Sequence, residues 1–172
     1  MKNNLITKFS YFLLFLIYSL SVNSEELKFE ASSIEIIDKD KILVAKDGVK
    51  ILSGQEIVID ADQMRYDKEE KFLEARGNIV ITNIVKNIKI YSDKITYDKN
   101  LEKIISSGNV NIKFEKNYTL ETKEIIYLKK SDEILINHES KIKDNLENEI
   151  EFQQLNFNAN DKLIKCKKVK PS

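Results

Sequence analysis

The sequence predicts an all-β protein, a rolled sandwich of stacked antiparallel hairpin repeats of about 30 residues. Three observations lead there. Apolar and polar residues alternate, as at Ile57 and Ile59, Leu73 and Ala75, Ile79 and Ile81, and period two marks strands with one buried face. The stretch Glu56 to Thr82 is closely repeated by Ile88 to Phe114, with Tyr66-Asp67-Lys68 answered by Tyr97-Asp98-Lys99 and Gly77-Asn78 by Gly108-Asn109, each 31 residues on. A fixed period of that size marks supersecondary units that bury their apolar faces by stacking. Finally, the alternation changes phase inside each unit. Ile57 and Ile59 are odd-numbered, Met64 and Tyr66 even, with the switch at Asp60-Ala61-Asp62. The same shift separates Ile88 and Ile90 from Ile95 and Tyr97, Tyr118 and Leu120 from Ile125 and Tyr127, and Ile150 from Leu155 and Phe157. A one-residue slip turns every later side chain to the other face unless the chain bulges or turns a corner. Strands that bend at the same point in every unit pass from one sheet of a sandwich to the other.

Taken in order, residues 1–24 read as an export signal, cleaved from a domain spanning 25–172. Lys2 and Lys8 make a basic start, Phe9 to Leu20 an apolar segment, and Val22-Asn23-Ser24 a cleavage site before Glu25. As a helix the apolar segment reaches about 18 Å, short of the ~30 Å hydrocarbon core of a bilayer. The first unit, Leu27 to Leu52, matches the others only if its register slips by one residue between Ile36 and Gly48, so a degenerate cap is expected there. The second and third units are the two good copies. Polar tips join the halves of the units: Asp67 to Glu70, Asp98 to Asn100, Lys129 to Asp132 and Asn158 to Asp161. Gly48, Gly77 and Gly108 recur where a second turn or a bulge requires positive φ. In the fourth unit Asn137-His138 stands at that point. Five units of two strands give ten strands or more, and the lone proline, Pro171, lies at the end of the chain, where it interrupts no ladder.

Composition narrows the function. With 42% hydrophobic and 33% charged residues the chain is ordered and water-facing. Its formal charge is zero, 28 basic against 28 acidic residues, interspersed rather than clustered. A duplex binder needs a cationic face to displace counterions, so no nucleic acid is expected. Cys166 is the single cysteine, so an exported chain gains no internal disulfide and relies on its core and ladders. His138 is the single histidine, which excludes a His-rich zinc site and leaves a Ser-His-Asp triad no other imidazole to draw on. Glu69-Glu70 and Asp60/Asp62 are carboxylate pairs without a nucleophile, glycine loop or metal spacing, so neither an enzyme nor a metal or cofactor is expected.

The pattern Ala61-Asp62, Tyr66-Asp67, Gly77-Asn78-Ile79, repeated as Ser92-Asp93, Tyr97-Asp98, Gly108-Asn109-Val110, resembles the organic-solvent-tolerance (OstA-like) family, periplasmic lipopolysaccharide-transport proteins. The likeness runs from about Leu27 to Lys170. Later copies depart from it, with Lys123 in place of the aspartate, Leu128 and Asn158 after the aromatic, and no glycine. The resemblance implies a twisted open β-jellyroll in the periplasm that holds the acyl chains of lipid A in an apolar groove and joins other jellyrolls edge to edge on the way to an outer-membrane β-barrel translocon. Two kinds of member fit: a stand-alone bridge protein (LptA-like), and the amino-terminal domain of the translocon (LptD-like), separated from its barrel. Asp144 to Glu151 and the Lys-rich end resemble the latter, whose cysteine near the domain's end pairs with the barrel, and Cys166 sits in a comparable place.

The residues expected inside, as core or groove lining, are Ile57, Ile59, Met64, Tyr66, Ile88, Ile90, Ile95, Tyr97, Leu120 and Tyr127; alternation alone says that their face is buried, not what it touches. Asp62 and Asp93 are expected to satisfy backbone donors at the corner rather than to bind a headgroup amine or a cation. Cys166, which aligns with Ala75, Ser106 and Ile136, is expected to be a small packed residue, with an intermolecular disulfide as the alternative. Two other classes compete with lipid transport. One is a structural or adhesin-like β-repeat with a dry core. The other is a glycan-binding or glycan-cleaving solenoid, which requires Tyr66, Tyr97 and Tyr127 in a row facing solvent.

Overall fold

The computed structural model describes residues 28–53, 57–85, 87–114, 118–146, 148–158, 160, 163–167 and 170–171; the expected export signal, the first residue of the domain's first repeat and Ala159 and Asp161 of the last tip lie outside them. Every element among the described residues is a strand: β1 (Lys28–Ile37), β2 (Ile42–Ser53), β3 (Ile57–Asp67), β4 (Phe72–Asn83), β5 (Ile88–Asp98), β6 (Lys103–Phe114), β7 (Tyr118–Leu128), β8 (Glu133–Ile136), β9 (Ser140–Asp144), β10 (Glu149–Phe152), β11 (Gln154–Asn158), β12 (Leu163–Lys167) and β13 (Lys170–Pro171). They form a single open, fully antiparallel sheet. From β1 to β7 each strand pairs with the next in sequence.

The first seven strands are 10 to 12 residues long, because each carries both halves of the alternation and turns the corner without ending. The corner is a bulge. β2, β4 and β6 each contribute one residue more than their neighbours there, at Asp47-Gly48, Gly77-Asn78 and Gly108-Asn109. Both members of each pair are left-handed, with φ of 61° and 84°, 78° and 45°, and 76° and 46°. Two consecutive positive φ values suit glycine beside Asn or Asp, the residues that tolerate this region best. The first unit is therefore a complete hairpin rather than a degenerate cap. Its one-residue slip arises because the bulge reads Asp-Gly there and Gly-Asn in the next two units.

Past β7 the corner becomes a break. The first half of β7 pairs with β9 and its second half with β8, so the sheet splits into a branch of β9, β10 and β13 and a branch of β8, β11 and β12. The chain crosses between branches at Asn137 to Glu139 and again at Gln153, where the first three units have their bulges. The Gly-Asn or Asp-Gly pair that carries the bulge on β2, β4 and β6 is missing here, and the even-numbered strand of the unit ends at the corner and restarts as β9. His138 lies in this crossing, as a turn residue. The split accounts for thirteen strands where ten or more were expected.

Folding along the corner brings the two halves of the sheet face to face. One core cluster joins Ala45, Met64, Leu73, Ala75 and Ile95 from one half to Val49, Ile51, Ala61, Ile79 and Ile81 from the other. A second, in the C-terminal part, joins Ile125, Tyr127, Ile134, Ile136, Leu155 and Phe157 to Ile88, Val110, Ile112, Leu120, Ile142 and Phe152. Both clusters straddle the corner, as the phase change requires.

Candidate functional site: the apolar seam and its corner

The corner explains the motif residues. Asp62 on β3 lies against Gly77 of β4 so closely that a Cβ there would meet its carboxylate and its own Cβ, and Asn78 Nδ2 donates to Asp62 Oδ2 at 2.9 Å. The third unit repeats this: Asp93 lies against Gly108, and Asn109 Nδ2 donates to Asp93 Oδ2 at 3.1 Å. Each aspartate thus docks into the notch of the following strand. The donors are side-chain amides rather than the backbone groups expected from sequence, because the bulge swings the asparagine side chain over the carboxylate. We expect Asn78→Ala to cost about 1–2 kcal/mol in urea unfolding, through the lost charge-assisted hydrogen bond and the lost tolerance for φ of 45°; an unchanged midpoint would mean that the clasp contributes nothing.

On the inner side of the corner small residues recur. Ser106 Oγ donates to Ser92 Oγ at 2.9 Å, and the Ser140 and Thr122 hydroxyls lie 2.8 Å apart, all four residues buried. With Ala45, Ala61 and Ala75 they let the two halves approach closely. Sequence inspection passed over this set, although its signal, a small residue at the same place in each unit, was present.

The tips hold the outer end of one half. Asp67 Oδ1 accepts from the backbone N–H of Glu69 and Glu70, which holds its carboxyl below the usual range, and Asp98 Oδ1 accepts from the N–H of Leu101. Neighbouring tips are stitched together. Lys68 N donates to Lys41 O, Lys99 N to Lys71 O and Lys129 N to Glu102 O, at 2.9 to 3.1 Å, and Asn100 Nδ2 donates to Glu70 O.

The predicted inner residues all lie on the buried face. Met64, Ile88, Ile95, Leu120 and Tyr127 are buried, and Ile57, Ile59, Tyr66, Ile90 and Tyr97 are half-buried against the two clusters. They fall into rows across the sheet. One row runs Phe29, Ile51, Ile59, Ile81, Ile90, Ile112, Leu120, Ile142. The other runs Leu43, Tyr66, Leu73, Tyr97, Ile104, Tyr127, Ile134, Phe157. These are the two lips of an apolar seam. Leu43 and Ile104 belong to it and were missed, although Tyr66, Tyr97 and Tyr127 across the ladder were identified; Phe29 and its partner Ile51 were missed as well. The three tyrosines do not face solvent in a row, as a glycan surface requires. Tyr66 and Tyr97 pack on the N-terminal cluster, and Tyr127 is buried, its hydroxyl donating to Asp132 Oδ1 at 2.9 Å. Burial, helped by Asp132, pushes the Tyr127 phenol well up.

Two hollows among the described residues lie away from the two rows. One of about 460 Å³ is lined by Asn109, Asn111, Glu121, Thr122, Glu139 and Lys141, and one of about 400 Å³ by Asn137, His138, Gln153, Gln154 and Lys167. Charged and amide side chains dominate the lining of both, and both lie along the bend rather than between the apolar rows. No group of three or more His, Cys, Asp or Glu suited to a metal ion occurs among the described residues.

Cys166 is exposed on β12 rather than packed. It continues the inner row past Leu155, its partner across the ladder, but β12 ends its branch and no further strand among the described residues covers it. Desolvation by neighbouring atoms raises the thiol pKa above its ordinary value.

No family model matches the chain, and no curated protein matches it. Among solved structures it is similar to LptH of Pseudomonas aeruginosa, described as the LptA homologous periplasmic component of the conserved lipopolysaccharide transport device. The two share 14% identity, and the match covers 88% of this chain and 97% of that one with a TM-score of 0.46.

Proposed function

We propose that this chain is an exported lipopolysaccharide-binding transport protein, part of a bridge of β-jellyrolls that carries the lipid across the periplasm to the outer membrane. The observation that carries the reading is the seam: two facing apolar rows that cross the whole sheet, with half-buried lips, between edge strands at which the pairing ends. Of the residues that resemble the OstA-like family, Asp62, Gly77, Asn78, Asp93, Gly108 and Asn109 build the corner behind that seam, Tyr66 and Tyr97 line it, and Asp67 and Asp98 hold its tips. Hydrocarbon supplies the energy scale. Each buried methylene is worth about 0.8 kcal/mol, so a chain of ~12 carbons is worth roughly 9 kcal/mol gross and does not cross water unaided. In this reading β1 and β12, the ends of the ladder, pair edge to edge with related jellyrolls.

The test is direct. Protein purified gently from membranes should carry lipid A detectable by mass spectrometry, and clean protein would favour a dry structural repeat. Ile90, half-buried between the two clusters, is the place to interrupt the path. Ile90→Arg should fold and lose lipid transfer tenfold or more, since a guanidinium in an apolar seam leaves its charge unpaired; wild-type transfer would remove Ile90 from the path.

The exposure of Cys166 on an edge strand favours a second reading, the amino-terminal domain of the outer-membrane translocon, whose cysteine pairs with a barrel. Non-reducing electrophoresis of cell envelopes separates the two readings: a disulfide-linked band lost in Cys166→Ser supports the translocon domain, and its absence the stand-alone bridge.

A further inference from the structure

The two ends of the seam differ, although the same rows line both. From β1 to β5 the lips are half-open. Phe29, Ile59 and Ile90 on one side and Leu43, Tyr66 and Tyr97 on the other are half-buried, with Ile51, Ile81 and Leu73 of the same rows buried between them; Ile57 beside the first row is half-buried, and Ile34 and Ile36 of β1 are 48% and 53% exposed. From β6 to β11 the same rows are shut. Ile112, Leu120, Ile142 and Phe152 on one side and Tyr127, Ile134 and Phe157 on the other are at most 3% exposed, and in these rows Ile104 on β6, where the two stretches meet, stays half-buried. Both stretches are apolar, so composition does not set the difference; the shut stretch is the one packed against the split strands past β7. In the N-terminal part each strand runs through the corner, and the Asp62 and Asp93 clasps fix how far its halves splay. Past β7 the halves are separate strands, free to close until their side chains interdigitate.

We infer that hydrocarbon enters the seam sideways through its N-terminal half, past a latch formed by Phe29 and Tyr66, and that the C-terminal half is a plug that stays dry. The inference rests on the transport reading and adds to it a place and a limit. Phe29 and Tyr66 come from opposite lips and meet with ring centroids 6.0 Å apart, tilted by 33°. A single ring pair is a weak closure, whereas the plug shares its apolar contacts among many residues. The narrow gap selects the occupant. A helix or a further sheet packs at about 10 Å, so lips whose rings stand at 6.0 Å need part only slightly for an extended acyl chain and far more for protein. Beside the mouth, the turn between β4 and β5 presents Ile84 and Val85, 62% and 69% exposed, so apolar surface continues outward from the lip.

The chain has no tryptophan, so single substitutions report cleanly. Tyr66→Trp and Tyr97→Trp mark the mouth and Phe157→Trp the plug. The probe is a lysophospholipid brominated on its acyl chain, held below its critical micelle concentration. Emission should be largely lost at both mouth positions and retained at Phe157→Trp, and Phe29→Ala should speed the quenching at Tyr97→Trp about two- to tenfold by removing the ring pair. Equal quenching at all three positions, or quenching confined to Phe157→Trp, overturns the plug while leaving lipid binding intact. No quenching at any position in folded protein overturns the transport reading itself. If Phe157→Trp does not fold, calorimetry of the unbrominated lipid with the milder Phe157→Leu gives the same answer: unchanged affinity supports a dry plug, and weakened affinity overturns it.

Discussion

Gly77→Ala is expected to destabilise the domain by about 2–4 kcal/mol, whereas Gly48→Ala, at nearly the same backbone angle, costs about 1 kcal/mol. The contrast isolates what the corner clasp adds to glycine's conformational role. Both glycines are left-handed, with φ of 78° and 84°, so alanine carries similar backbone strain at either. Their surroundings differ. A Cβ at Gly48 meets nothing within 4 Å, while at Gly77 it runs into Asp62 Oδ2 and falls 2.9 Å from Asp62 Cβ. The tip of Asp62 can swing away, but its Cβ is fixed to the strand, so the strand itself must shift and the pairing of β3 with β4 must loosen. The check is urea unfolding of both variants and of Asp62→Ala with Gly77→Ala, compared at equal m-values. The double variant should recover most of the excess cost, since removing the carboxylate frees the space, and it should show a coupling energy of about 1–2 kcal/mol. If Gly77→Ala and Gly48→Ala lose the same stability, the aspartate moves aside freely and the motif is a matter of backbone angle alone.

That pair of glycines also shows what the sequence made legible. The strands, the 31-residue repeat and the corner followed from period two, from the repeated Tyr-Asp and Gly-Asn, and from the one-residue phase change, because each is a local property of the chain. What a strand does at the corner was less legible. Gly77-Asn78 bends within β4, whereas Asn137-His138 ends β8, and the alternation keeps its parity across both places, Leu73 and Ala75 to Ile79 and Ile81 as Ile134 and Ile136 to Ile142. The difference turns on whether two consecutive residues accept positive φ, and its consequence, a sheet that splits into two branches, is long-range. The partner of Asp62 was hidden for a similar reason, since Asn78 lies 16 residues away and reaches it only once the bulge has formed. Cys166 was misplaced because its alignment with Ala75 and Ser106 fixes which face it is on, but not that β12 is the edge of its branch. Likewise, period two identified the apolar rows without showing that one end of the seam is half-open and the other shut. Exposure depends on how the two halves close, and the shut end is the one packed against the split strands past β7.

The split sheet carries the second large expectation. Phe157→Ala should cost about 3–5 kcal/mol, a large part of the ~5–15 kcal/mol that holds a typical domain folded. Phe157 is fully buried. Across the ladder it faces Ile134 on β8 and Ile164 on β12, and Phe152 lies in the same cluster. The cost should also be unevenly distributed. In the N-terminal part each bent strand ties the two halves covalently, so a cavity there leaves the fold's geometry in place. In the C-terminal part the branches are joined by β7, by the short crossings and by side-chain packing, so a cavity removes a principal link between them. The neighbouring units of a stacked repeat can then come apart in sequence rather than together. Hydrogen exchange of Phe157→Ala should therefore show protection lost first in β8, β11 and β12 while β3 to β5 keep theirs, and the unfolding transition should broaden. Ile59→Ala, on the half-open lip, should cost less, because its side chain is already in partial contact with water. A uniform loss of protection along the whole chain, or equal costs at Phe157 and Ile59, would mean that both ends of the seam are packed alike and that the branch point confers no separate stability.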